Sequence, residues 1–470
     1  MSLLAAARGL PGTTLQRIGL TLAVLVPAAV LIADLPGLEP PAQRMLAVFS
    51  VAVILWVTEA IPLVATAVLV IFLQVLLISD EAVIGLGDPS FEAPTAASIY
   101  ATLAHPVIIL FLGGFLLADG AAKYRLDRNL TAVMLRPFRG SLRLTVFGLM
   151  FITAVLSAFM SNTATTATML AVLIPVLAVS PSPTARAGLA LSIPVAATVG
   201  GLLTPVSSPP NAIAVGTLAD QGIRVTFVDW LLATGPLVLV LLAVAWAVLA
   251  VRYLEPGVAV DIDIHVDLDT RPRAVLFYVV AAVTVLLWLT EAAHGIPAAT
   301  VAFLPVTVLL ATSVMTGEDL RRLQWPVLWL VAGGIALGSG MAVTGLDEWM
   351  IGLVDWAVMP GLAVTLGLLA LALLLGTLIS NSATANLLIP LVPGLAVTVG
   401  TDSVVLAVGL AVVCGLGMAL PVSTPPNAIA YATGEIRTKD MAVIGIVVGA
   451  VGLLLVAFVM PTWWSLMGLT

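Results

Sequence analysis

Ser161-Asn162-Thr163-Ala164-Thr165 sits in the middle of the apolar segment 144–180, and it comes back as Ser380-Asn381-Ser382-Ala383-Thr384 in the middle of 361–400. The chain around it repeats in the same order. Upstream, Trp56-Val57-Thr58-Glu59-Ala60 returns as Trp288-Leu289-Thr290-Glu291-Ala292. Pro106, Gly113-Gly114 and Leu126-Asp127 return as Pro326, Gly333-Gly334 and Leu346-Asp347. Downstream, Pro205-Val206-Ser207-Ser208-Pro209-Pro210-Asn211 returns as Pro421-Val422-Ser423-Thr424-Pro425-Pro426-Asn427. Four ordered matches with a slowly shrinking offset are the mark of an internal duplication.

The setting of these motifs is a membrane. Of 470 residues, 61% are hydrophobic and only 9% charged, and the mean hydropathy is +1.18. A soluble domain carries about 25% charged residues, so a water-soluble globule, a disordered chain and a coiled coil are excluded. The apolar residues come in blocks of about 20, the length of helix that crosses a bilayer core. Spans fall near 17–35, 43–60, 62–79, 103–120, 185–218, 229–251, 274–292, 295–315, 326–345, 403–434 and 440–465. The first is read as a retained span rather than a signal peptide, since no small-residue cleavage site follows it. This is an all-α polytopic membrane protein. The net charge of −7 belongs to its loops and suggests no nucleic-acid surface. The single cysteine, Cys414, excludes an internal disulfide, and His105, His265 and His294 lack metal-ligand spacing.

Basic residues set the orientation. With the N-terminus cytoplasmic, and with 144–180 and 361–400 each returning to the side it entered, all 18 basic residues except Arg44 and Arg224 fall inside. Those placed inside include Arg8, Arg139 and Arg186. A single crossing by either segment would throw the later basic loops outside. The charges therefore predict two re-entrant hairpins, and two full crossings with a tight turn give the same sidedness. The expected organisation is an N-terminal span (1–42), a first repeat (43–230, with hairpin 144–180 and broken helix 185–218), a connecting span and loop (231–273), a second repeat (274–435, with hairpin 361–400 and broken helix 403–434) and a C-terminal span (436–470). Five spans separate equivalent positions, so the second copy is inverted. Inverted repeats build secondary transporters whose site lies near the midplane, where the copies meet.

Each copy carries two polar interruptions, the Ser-Asn tip and the Pro-Pro-Asn break. Proline lacks an N–H and clashes with the preceding turn, so a Pro-Pro pair ends a helix. Unwound backbone at membrane depth is tolerated where it lines a cavity or is buried in protein. Freed carbonyls suit a small hard cation, and freed N–H groups at helix starts suit an anion. An amide such as that of Asn162 or Asn381 serves both, with one acceptor oxygen and two N–H donors. Between Thr145 and Thr217 the only charged residue is Arg186, and between Pro360 and Thr433 it is Asp402. An anion held here must be balanced by helix termini and bound cations. Ser, Thr and Asn also simply join neighbouring membrane helices, which is the plainer reading of any one motif. Four motifs in two inverted pairs point beyond it.

Glu59 and Glu291 are intramembrane acids at the ends of spans, read as capping or interhelical pairing. The glycine pairs are close-packing positions, because no lysine follows them as a phosphate loop requires. His105 corresponds to Trp325, which marks an interfacial residue. No acid–base pair or metal cluster appears in the breaks, so an enzyme is not expected. A channel has no need of paired sites offered from opposite faces.

At these tips and breaks the sequence resembles the divalent anion–sodium symporter (DASS, INDY-like) family of di- and tricarboxylate transporters, over nearly the whole chain. The resemblance implies a homodimer of about eleven spans and two re-entrant hairpins, with scaffold and transport domains working as an elevator. It implies sodium-coupled symport of C4-dicarboxylates such as succinate across the cell membrane; the eleven crossings counted from a cytoplasmic N-terminus leave the C-terminus outside. The alternatives within the family are a sodium-independent dicarboxylate exchanger and a sulfate or citrate carrier. It places substrate contacts on Asn162, Thr163, Asn381 and Ser382, with Ser208, Pro209, Thr424 and Pro425 nearby. The first sodium site would use Ser157, Ser161, Asn162 and backbone around Ser207, and the second Ser380, Asn381 and backbone around Ile379 and Ser423. Three positions depart from the family pattern: Ser382 stands for the usual Thr, Ser207 for a common Gly, and Gly376 for a Thr whose hydroxyl often binds the second sodium.

Overall fold

The computed structural model describes residues 13–83, 91–138, 140–179, 182–256, 267–354 and 360–470; Arg8, Arg139 and His265 lie outside them. Among these residues all regular structure is helical. Among the described residues nine helices are long and apolar enough to cross a membrane, and shorter apolar ones accompany them.

The duplication is visible element by element. Pro40–Thr58, Leu63–Leu77 and Pro106–Lys123 correspond in order to Pro272–Leu289, Ala298–Ala311 and Trp325–Thr344. In both copies the motif tryptophan is a clasp. Trp56 donates its indole N–H to the Leu63 carbonyl (3.2 Å), and Trp288 donates to the Ala298 carbonyl (3.0 Å). Each buried indole thereby ties the end of one helix to the start of the next, satisfying its single polar atom. The predicted 274–292 span is shorter, ending at Leu289 before a turn at Glu291–His294.

The glycine pairs let the copies interlock, as expected of close-packing positions. A Cβ on Gly333 would stand 2.5 Å from Ala67 Cβ, and one on Gly113 would stand 2.8 Å from Ala302 Cβ. Each glycine helix thus lies directly on the short helix of the other copy. Small residues allow such backbone approach where no hydrophobic force drives helices together.

Both predicted hairpins are helix–tip–helix units: Leu142–Ser157 with Asn162–Val179, and Gly361–Leu378 with Asn381–Leu388 and Val392–Val399. The two predicted broken helices are broken where the prolines stand. Pro183–Gly200 and Pro209–Asp220 flank one gap, and Ser403–Gly415 and Pro425–Tyr431 flank the other. The span predicted over 440–465 is present as a helix with a late restart. Its helix runs from Thr438 to Phe458 and restarts at Met460–Leu466, where Pro461 occupies the first turn and lacks the N–H that a continuous helix needs. Cys414 is a free, fully buried thiol.

Candidate functional site

Both tips and both breaks converge on one cavity of about 510 Å³, within the range of roughly 300–1,000 Å³ usual for small-molecule sites. Asn162, Thr163, Ser208, Pro209, Asn381, Ser382, Thr424 and Pro425 all line it, as do Ser161, Ser207, Ser380 and Ser423. Ser157 and Ile379 are not among its lining residues. Among the described lining residues Glu59 is the only ionisable one, and none is basic.

The tips are built alike. Ser161 accepts the Ala164 N–H (3.2 Å) and Ser380 accepts the Ala383 N–H (3.2 Å), so each serine caps the helix its asparagine opens. The buried Ser157 Oγ stands 2.7 Å from Asn162 Oδ1 and 2.8 Å from the Ala197 carbonyl. One hydroxyl proton serves one acceptor, so three oxygens crowd a point where a single proton is available. That surplus of oxygen fits a hard cation. Gly201 makes room for the Asn162 amide, because a Cβ there would stand 2.5 Å from Asn162 Nδ2.

At the second tip Asn381 donates to the Gly415 carbonyl (3.0 Å), and its own amide oxygen is buried with no partner. A Cβ on Gly376 would stand 2.9 Å from the Cys414 carbonyl and 3.4 Å from Asn381 Oδ1. This tip also presents oxygen to a cation, with one hydroxyl fewer than the first. Ile379 ends the arm of the hairpin as the cap of Gly361–Leu378.

The breaks are held open by the asparagine of each Pro-Pro-Asn motif, a role the sequence reading left unassigned. Asn211 donates to the carbonyls of Gly201 (2.9 Å) and Thr204 (2.8 Å), and Asn427 to those of Met418 (2.7 Å) and Leu420 (2.9 Å). Ser207 turns inward on its own loop, donating toward the Gly201 and Thr204 carbonyls (2.6 and 2.8 Å). Ser423 donates to Thr377 in the neighbouring hairpin arm (2.6 Å). The Thr424 hydroxyl caps its helix through the Asn427 N–H (3.3 Å), whereas the Ser208 hydroxyl is buried without a partner.

The two acids of the Trp-x-Thr-Glu-Ala motif part company. Glu291 is buried and paired at 2.6 Å with Arg224, which lies in the loop before Phe227–Arg252, so its partner comes from a loop rather than from a neighbouring helix. Glu59 caps its helix in the left-handed region (φ 45°) and also borders the cavity, which its place at a span end did not reveal. His105 caps its helix by accepting the Val107 N–H (3.3 Å) and lies 3.4 Å from Asp220. Gln324, unmentioned in the sequence reading, donates to Ser161 Oγ at 2.8 Å. No repeat signal could have found it, because the equivalent residue is Ala104.

The sequence profile of citrate transporters (CitMHS) matches residues 53–415. This chain is a transporter of the divalent anion–sodium symporter family. It is 27% identical over 451 residues to a sodium-dependent dicarboxylate transporter of Staphylococcus saprophyticus, covering 86% of this chain and 82% of that one. A similarly named protein of Staphylococcus aureus is 28% identical, with 86% and 84% covered. An uncharacterized transporter of Haemophilus influenzae is 28% identical over 454 residues, with 91% and 93% covered. Two solved transporters share the fold at low identity. YdaH of Alcanivorax borkumensis gives a TM-score of 0.54 at 16% identity over 88% of this chain and 98% of its own. MtrF of Neisseria gonorrhoeae gives 0.51 at 12% over 93% and 97%. The chain is thus a multi-pass membrane transporter of this family.

Proposed function

We propose that this transporter imports C4-dicarboxylates such as succinate by symport with sodium, moving a transport domain against a scaffold in the elevator manner. The observation that carries the reading is the convergence of two tips and two breaks on a cavity with no basic lining residue among those described. Three helices of eight or more residues, Asn162–Val179, Asn381–Leu388 and Pro209–Asp220, begin at this cavity. Each start presents roughly half a positive charge and free N–H groups. Asn162, Thr163, Asn381 and Ser382 supply donors to the two carboxylates, with Ser208, Pro209, Thr424 and Pro425 beside them. One sodium sits among Ser157, Ser161, Asn162 and backbone near Ser207. A second sits among Ser380, Asn381 and the backbone of Ile379 and Ser423. The ions offset the charge that an arginine supplies elsewhere, and that makes anion binding depend on them.

In this reading the two repeats are inverted, their hairpins re-enter from opposite faces, and the protein works as a homodimer in the cell membrane with its N-terminus cytoplasmic and its C-terminus outside. The names of the staphylococcal relatives support the substrate class and the ion. A sodium-independent exchanger is the second reading, favoured by Gly376, which leaves the second tip a hydroxyl short. Uptake of labelled succinate into proteoliposomes separates the two. Symport gives accumulation driven by an inward sodium gradient and abolished in choline. Uptake indifferent to sodium but dependent on internal dicarboxylate would establish exchange instead.

A further inference from the structure

The cavity is not bounded symmetrically. Beyond the tips and breaks it is lined by Glu59, Leu63, Phe111 and Phe115 from one copy and Gln324 and Val327 from the other. On the charge-derived orientation Glu59 and Gln324 both stand at cytoplasmic ends of their helices. Their repeat-equivalents Glu291 and Ala104 do not line the cavity, and Glu291 is engaged by Arg224. On that orientation the cavity reaches the cytoplasmic ends of these helices, the disposition of a cytoplasm-facing conformer. Inverted repeats generate the opposite conformer by exchanging the roles of the two copies.

Gln324 is where that exchange fails. Its Nε2 donates to Ser161 Oγ at 2.8 Å, and the same oxygen accepts the Ala164 N–H at 3.2 Å. A hydroxyl oxygen has two acceptor lone pairs, and both are taken. Ser161 therefore cannot also ligate a cation until Gln324 withdraws. At the second tip Ser380 accepts the Ala383 N–H, and the residue equivalent to Gln324 is Ala104, which has nothing to donate. We infer that Gln324 is a latch: it holds the first tip in the cytoplasm-facing, cation-free conformer, and a cation binds there only by displacing it. The inference rests on Ser161 being a cation ligand. Gln324 touches neither ion nor substrate in this scheme; it acts through Ser161 as a positioning residue.

The latch sets the sodium concentration at which the first site fills. A hydrogen bond of ordinary net strength, removed from the competing side, shifts such a midpoint by roughly two- to tenfold. The test is thermal unfolding of the purified full chain over a sodium chloride series, with choline chloride keeping the ionic strength constant. Stabilisation in wild type should saturate with sodium, and Gln324→Ala should reach its half-point at two- to tenfold lower sodium. Gln324→Glu, whose carboxylate accepts the Ser161 proton and leaves an oxygen lone pair free, should shift at least as far in the same direction. A wild-type response with an unchanged or higher half-point in Gln324→Ala would overturn the latch and leave the cation site standing. The absence of any sodium-specific stabilisation in wild type would overturn both.

Discussion

At the first tip Ser157 stands one turn before Ser161, and its hydroxyl reaches both Asn162 and the Ala197 carbonyl. At the second tip Gly376 occupies that place, the Cys414 carbonyl closes on the space a side chain would fill, and the Asn381 oxygen is left without a partner. The backbone plan is the same: a serine caps, an asparagine opens the helix, and the asparagine of the facing break ties two carbonyls. The side chains on that plan differ. Duplication preserved what shapes the cavity and let the hydroxyl count drift; under the proposed function the two tips share anion binding but divide cation binding unequally.

Several substitutions can break this comparison or sharpen it. The largest effect is expected from Asn162→Ala and Asn381→Ala, each lowering succinate uptake at least about a hundredfold, since a buried polar site left unpaired discriminates by such factors. Near-normal uptake in either variant would mean that the tips are not equivalent partners. Gly201→Ala should be nearly as damaging, because its methyl displaces the Asn162 amide. If uptake survives there, the amide is not held where the structure has it. Next comes Ser157→Ala, expected to raise the half-saturating sodium concentration about tenfold, as loss of a supporting metal ligand does. Gly376→Ser examines the other tip. Its Cβ would meet the Cys414 carbonyl at 2.9 Å, so it should cost about 1–3 kcal/mol of stability as overpacking does. Tighter sodium dependence with no loss of stability would show instead that the second tip lacks only a ligand. The smallest contrast is Asn211→Ala against Asn427→Ala. Each removes two hydrogen bonds to loop carbonyls, of which Gly201 and Thr204 keep Ser207 and Leu420 keeps the Ser423 N–H as donors, and should lower stability by about 1–3 kcal/mol. Chemical denaturation giving clearly unequal losses would show that the two breaks are not alike.

Most of this architecture was legible because it is written twice. The hairpins, the proline breaks and the close-packed glycines were each anchored by a duplicated motif, and the structure has helices and gaps at those places. What the repeat could not reveal was anything present in one copy alone. Gln324 faces Ala104 across the duplication, and Glu59 borders the cavity while Glu291 pairs with Arg224. The work of Asn211 and Asn427 was hidden for another reason. Polar side chains beside unwound backbone read as ligands, whereas here their donors are used up on carbonyls of their own loop. Helix ends also escaped the hydropathy pattern: residues 440–465 are apolar throughout much of their length, yet Pro461 forces a restart.

The central claim is that residues from both copies complete one anion pocket whose charge is balanced by cations. Calorimetric titration of succinate into the purified protein, in sodium and in choline, with Asn162→Ala and Asn381→Ala alongside, tests it most directly. The account predicts binding in sodium, none in choline, and a loss of at least about tenfold in affinity in each variant. Undiminished binding in choline, or an affinity equal to wild type in either variant, would contradict it.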